Sequence, residues 1–282
     1  WDAEGKKYLD LTAAFGVAAA GHANPKVVTA GQRQMAKLLH AMGDVHPHAL
    51  KANLARELSK ITFEKWNKTQ NPKLKIQNSA KTIFCNSGFE AVEAALKTGF
   101  LATGKNEIIA FAGAYHGLGY GALNATHREH FRSSFRAQLR EFAHFVSFPK
   151  QVQQLEKVEK EIRQLFRQKK IGAILVEPIQ ARGGTNIPPP EFLPLLRKIC
   201  DNQNALLIVD EIFTGFGRTG KWFACEHSKT IPDLICLGKA LTGGFPLSAC
   251  VGRSDLMDAA WPVSNGEAIH TSTFLGHPVG CA

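Results

Sequence analysis

Lys239 lies in Cys236-Leu-Gly-Lys-Ala-Leu-Thr-Gly-Gly, among apolar residues and glycines. An amine confined in such surroundings holds its proton less tightly and becomes a nucleophile toward carbonyls, the basis of Schiff-base chemistry. The alternative is a snorkelling lysine whose stem packs while its head stays wet. Asp210 ends the run Leu206-Leu-Ile-Val-Asp210-Glu211, which reads as a buried strand. A carboxylate at that end either meets a cation in a ligand crevice or caps the next loop.

Two further segments follow apolar runs in the same way. In Cys85-Asn-Ser87-Gly88-Phe89-Glu-Ala-Val-Glu, a strand gives way to a Ser-Gly turn and then to a helix with early glutamates. Free N–H groups and the helix dipole make such a terminus a phosphate site, and an ordinary Ser N-cap would have the same sequence. No GxxxxGK[ST] loop occurs. In Phe111-Ala-Gly-Ala-Tyr115-His116-Gly117, the aromatic could stack on a planar ligand, and His116 is either a catalyst or a hydrogen-bonded structural residue. A phosphate cradle, a stacking ring, a buried acid and a carbonyl-reactive amine together match the needs of pyridoxal phosphate.

The elements that must position these residues alternate. Short apolar runs predict strands over Thr82–Cys85, Ile108–Phe111, Phe145–Phe148, Ile174–Val176, Leu206–Val209, Leu234–Cys236 and Leu247–Val251. Helical periodicity predicts helices near 88–102, 151–169 and 190–203. The pattern argues for an α/β fold around a largely parallel sheet, with ligands at the carboxyl ends of the strands. The first fifty residues read as a hairpin turning at Glu4-Gly5, a Gly/Ala-rich loop and a helix from about Pro25, outside the main sheet. The lysine-rich stretch 64–81, with Asn71-Pro72, reads as a surface connection.

Composition narrows the function. With 282 residues, 44% hydrophobic and 21% charged, the chain is neither disordered nor fibrous. Of the net charge of +10, residues 51–81 supply +6, with no helix-turn-helix, ribonucleoprotein strand or paired metal ligands beside them. That is a solvated basic face, and no nucleic acid partner is expected. Six cysteines without CxxC spacing read as reduced, mostly buried thiols, the usage of a cytoplasmic protein. No apolar run approaches the roughly 20 residues that span a bilayer, so no membrane partner is expected. None of the 11 histidines has metal-ligand spacing.

The sequence closely resembles the class III pyridoxal-phosphate aminotransferases. The segments that carry the resemblance are Leu207-Ile-Val-Asp-Glu-Ile-Phe-Thr-Gly-Phe-Gly-Arg-Thr-Gly220 and Pro232-Asp-Leu-Ile-Cys-Leu-Gly-Lys239-Ala-Leu. Asn86-Ser-Gly-Phe-Glu-Ala, Tyr115-His-Gly, Val176-Glu-Pro-Ile-Gln180 and His270-Thr-Ser-Thr-Phe-Leu-Gly-His-Pro278 support it, in the family's order along nearly the whole chain. The resemblance implies the fold type I transferase architecture, a largely parallel seven-stranded sheet flanked by helices. It implies an N-terminal segment over 1–50 that is part of a small domain, a large cofactor-binding domain over 51–282, and an absent C-terminal small domain.

For the site, the resemblance implies that Lys239 forms the Schiff base with pyridoxal 5'-phosphate and shuttles the proton, while Asp210 keeps the ring nitrogen protonated. Tyr115 and Ile212 would cover the two ring faces, with His116 beside Tyr115. Ser87, Gly88 and Phe89 would hold the phosphate, Gln180 would approach the phenolic oxygen, and Thr273 would be donated by a neighbouring subunit with Ser272 beside it. The implied reaction moves an amino group from an amino acid or amine to a keto acid, pyruvate or 2-oxoglutarate, in a homodimer with shared sites. An aminomutase, a decarboxylating aminotransferase and a non-catalytic scaffold are the alternatives. Two positions depart from relatives: Phe89 stands where many have Ser, Thr or Ala, and Leu118 stands where acetylornithine-type enzymes have a carboxylate-binding Arg. Arg182 either binds a substrate carboxylate or is a surface charge.

Overall fold

The computed structural model describes residues 1–42, 45–70 and 79–282. Seven strands form one sheet: β1 (Ala80–Cys85), β2 (Glu107–Phe111), β3 (Ala143–Val146), β4 (Ile171–Val176), β5 (Leu206–Asp210), β6 (Leu234–Leu237) and β7 (Ser248–Arg253). Their spatial order is β1-β7-β6-β5-β4-β2-β3. All neighbouring pairs are parallel except those of β7, which runs against both β1 and β6. The central strands are buried on both faces, which explains why they read as continuous apolar runs without alternation. The carboxyl ends of β1, β2, β4, β5 and β6 therefore meet along one edge of the sheet.

Helices cover both faces. Helix α1 (Pro25–Met35) and helix α2 (Ala49–Ser59) precede the sheet, as the sequence predicts for the first of them. Helix α3 (Gly88–Thr103) starts where expected and ends on Gly104, whose φ of 65° is the left-handed conformation a helix stop requires. It buries Ala91, Val92, Ala94, Ala95, Thr98 and Gly99, small residues that let the helix lie close to β6 and β7. Cys85, Cys236 and Cys250 are buried on that side, as the apolar runs around them suggest.

The opposite face carries helix α4 (Leu155–Gln168) and helix α5 (Phe192–Gln203). Val158 and Ile162 of α4 face inward, while Glu156–Lys160 and Glu159–Arg163 pair along its outer surface at 2.7 Å. Phe192 of α5 is fully buried and meets Phe111 at 5.1 Å and Phe148 at 5.4 Å between ring centroids, edge to face.

Three expectations need correction. Strand β3 lies two residues earlier than the apolar run Phe145–Phe148, because Phe148 is buried by its aromatic neighbours beyond the end of the ladder. The turn at Glu4-Gly5 forms through the hydrogen bond from Gly5 N to Asp2 O (3.1 Å), but no strands flank it. Tyr8, Leu9 and Leu11 are exposed, and a two-stranded ribbon with no surface to pack on is marginal in water. Of the lysine-rich stretch, residues 71–78 lie outside the described residues. Lys65–Gln70 is helical, and Phe63 and Trp66 insert into the core, so this end of the stretch is anchored and not merely superficial.

Candidate active site

The loops at the carboxyl edge of the sheet enclose a cavity of about 770 Å³. Its lining includes Gly88 and Phe89 from the start of α3, Tyr115 and His116 from the loop after β2, and Arg182 after β4. Asp210 and Ile212 come from the end of β5, and Lys239 follows β6. Residues spread over 151 positions of sequence meet because five strand ends coincide.

Asp210 is almost fully buried at the tip of β5. Its Oδ2 lies 2.8 Å from His116 Nδ1, and its Oδ1 accepts from Ile212 N at 3.0 Å. Burial opposes a charge on His116, but the hydrogen bond to Asp210 and the nearby charges of Asp210 and Glu177 outweigh it and raise the imidazole pKa. His116 Nε2 is buried and has no hydrogen-bond partner. The next residue, Glu211, turns into the core, where its carboxylate accepts from Ala224 N (3.0 Å) and Cys225 N (2.8 Å).

Lys239 opens a single short turn after β6, with φ of 37°, a conformation rare for a side-chain-bearing residue. Its Nζ lies 5.6 Å from the centroid of Phe213. Burial holds its pKa below the ordinary lysine value, assisted by the charges of Arg182 and Arg218 and opposed by those of Asp210 and Glu177. The amine is thus biased toward its nucleophilic form.

At the start of α3, the Glu90 carboxylate accepts from Asn86 N (2.8 Å) and Ser87 N (2.7 Å), fixing the turn. The first helical residues, Gly88 and Phe89, lack intrahelical partners for their N–H groups. A Cβ at Gly88 would stand 3.0 Å from Ile212 Cγ2, so only glycine keeps this approach open.

The other expected residues lie outside this lining. The Ser87 hydroxyl faces Glu90 at 3.1 Å. Gln180 is buried, with Nε2 donating to Ala112 O (2.8 Å) and Oε1 accepting from Asn186 Nδ2 (3.0 Å). Ser272 and Thr273 lie on the loop before the short helix Pro278–Cys281; Ser272 Oγ is 3.5 Å from Asn86 Nδ2, and Thr273 is exposed.

The lining residues that escaped the sequence reading include Glu177, Phe213 and Phe15. Glu177 directly follows the apolar strand β4, as Asp210 closes β5, and an acid at the end of an apolar run is a signal that both carry. Glu177 Oε2 accepts from Tyr115 N at 3.1 Å, and burial raises its pKa to about 7. Phe213 carries no sequence signal of its own, since an aromatic three residues beyond a buried strand end reads equally as core. Phe15 sits in a turn where Ala13, Ala14 and Phe15 all have positive φ, which no local sequence rule anticipates.

Residues 1–282 match the family described as aminotransferase class-III. The chain belongs to that family. An acetylornithine aminotransferase of Methanopyrus kandleri is 39% identical over 282 residues, covering all of this chain and 65% of that protein. Among solved structures, a transaminase from the marine bacterium Virgibacillus superimposes with a TM-score of 0.87 at 26% identity, covering 99% of this chain and 62% of that one. An amine transaminase from an uncultivated Pseudomonas species, in its PLP-bound form, gives 0.85 at 27% identity, with coverage of 99% and 65%. An (S)-enantioselective omega-transaminase from Thermomicrobium roseum, at 24% identity, shares the fold with a TM-score of 0.87, covering 100% of this chain and 64% of that one. The class III chain thus has the fold type I architecture and spans a little under two thirds of these relatives' length.

Proposed function

We propose that this class III chain carries the cofactor apparatus of a pyridoxal-phosphate-dependent transaminase, which moves an amino group from an amino acid or amine to a keto acid. The observation that carries this reading is Lys239, depressed in pKa, opening into the same cavity as the buried Asp210–His116 pair. When bound, the cofactor supplies an aldehyde for amines and a ring that takes up electrons.

The residues present fit such a group. Asp210, kept in place by His116 and Ile212 N, offers a carboxylate at the tip of β5 to a protonated ring nitrogen. Gly88 and Phe89 offer N–H groups to a phosphate at the helix terminus. Tyr115 and Ile212 provide apolar faces for a planar ring. Lys239 Nζ would hold the cofactor through its amine and, as a free amine, would be the base that carries a proton. Ser87 and Gln180 would support the site from behind, through the turn at Glu90 and the loop at Ala112.

The finer points remain part of this proposal. A homodimer in which Thr273 serves the neighbouring site is supported by its exposure and its separation from the cavity of its own chain. A cytoplasmic location is supported by six free cysteines, five of them buried; among the described residues no helix is long and apolar enough to cross a membrane. Leu118 in the cavity wall is our ground for not carrying acetylornithine over from the relative. The test is spectroscopic: the purified full-length protein should show the visible absorbance of bound pyridoxal phosphate, and Lys239→Ala should lose it. A colourless wild type, or an unchanged band in the variant, would sink the proposal.

A further inference from the structure

Arg182 lies at the rim of the cavity, and its guanidinium sits over two aromatic rings. Its Cζ is 4.6 Å from the centroid of Tyr115 and 5.2 Å from that of Phe131, and those two rings meet edge to face at 5.3 Å. Among the described residues Arg182 makes no ion pair and no side-chain hydrogen bond. A guanidinium engaged by aromatic rings alone keeps its N–H donors unspent, and their fork matches a carboxylate in bidentate fashion. The carboxylates of the cavity, Asp210 and Glu177, are buried in its floor with partners of their own. The walls at Phe89, Leu118 and Ile179 are apolar. Arg182 is therefore the cation of this lining whose charge is left for a ligand, and it is close enough to Lys239 to depress the lysine electrostatically.

We infer that Arg182 is the carboxylate reader of the cavity, so that amino donor and keto acceptor each present a carboxylate to it while their reacting carbon faces Lys239. Which molecule brings the carboxylate rests on the transamination reading above; where it binds rests on the unspent guanidinium alone. The same arginine would serve both halves of the exchange, since donor and acceptor differ at the reacting carbon and share the anionic group. Plain alkylamines would lack this anchor and be poorer donors.

The test uses the full-length holoenzyme and two readouts. In the first, α- and ω-amino acids are each compared with the amine lacking the carboxylate, for example 2-aminobutyrate with propylamine. Arg182→Gln should lower the ratio of kcat/KM for acid over amine about 10- to 100-fold, the range for a lost charge-assisted pair. Arg182→Lys, which keeps the charge but not the fork, should fall between. An unchanged ratio in both variants would overturn the inference, since a purely structural contact affects both donors alike. In the second, calorimetric binding of the unreactive carboxylate butyrate should weaken by about tenfold or more in Arg182→Gln; an unchanged Kd would also overturn it. Arg182-dependent butyrate binding in a protein that turns over no donor would refute the transaminase reading and leave this one standing.

Discussion

Asp210 closes β5 and Glu177 directly follows the neighbouring parallel strand β4, yet their surroundings differ. Asp210 has an imidazole and a backbone N–H directly on its oxygens. Glu177 is buried against Tyr115 N, and desolvation raises its pKa to about 7 despite the opposing charge of His116. A carboxyl whose pKa is raised on folding favours the native state at low pH. That contribution is complete below the unfolded value near 4.5 and is lost as the pH rises through about 7. Glu177→Gln should therefore match wild type at pH 4 and exceed it at pH 8, by on the order of 3 kcal/mol in urea unfolding. A variant less stable than wild type at pH 8 would show that the ionised carboxylate is needed by its neighbours. Asp210 was legible from the sequence because burial and charge conflict at the end of an apolar strand, and Glu177 carries the same signal unread. The fates of Ser87 and Gln180 were not, since their hydroxyl and amide are engaged by Glu90, Ala112 and Asn186 through folds of the loop that sequence spacing does not encode.

Among the elements, the apolar runs located all seven strands because central parallel strands leave no polar face. They placed β3 two residues late, where tertiary aromatic contacts bury Phe148 without a ladder, and the pattern failed at the N-terminal turn, where β-forming residues have nothing to pack against. Packing also fixes the loop after β2. Gly117 has φ of 117°, and a Cβ there would fall 2.3 Å from Phe89 Cβ and 3.0 Å from its Cα. Gly117→Ala should destabilise the protein by about 2 kcal/mol or more in chemical denaturation, and weaken cofactor retention because Phe89 must move. A wild-type unfolding midpoint in that variant would mean that the loop yields. On the other face, Phe192→Ala removes the ring shared by Phe111 and Phe148, outside the cavity lining, and should cost about 3–5 kcal/mol. Its cofactor absorbance under native conditions should persist, which separates core from site.

For the whole molecule, the shared-site proposal has a complementation test. Lys239→Ala and Thr273→Ala would each impair a homodimer, the second by weakening phosphate binding. In a mixed dimer, one of the two sites draws Lys239 from one chain and Thr273 from the other, both intact. Refolding equal amounts of the two variants together makes about half of the dimers mixed, each with one intact site of two, and should restore roughly a quarter of the wild-type sites. Mixtures no better than the Thr273→Ala protein would assign Thr273 to its own chain. The reversed strand β7 has another consequence, in time. Among the described residues strand β1 pairs with β7 alone, and Ser248 Oγ at the head of β7 donates to Ser87 O at 2.6 Å, across 161 positions of sequence. A ribosome at about 5–20 residues per second needs roughly 10–30 s to cover that separation. Throughout the interval the phosphate turn has emerged without the strand that anchors it, so the vitamin-derived group can be loaded only after translation has passed β7.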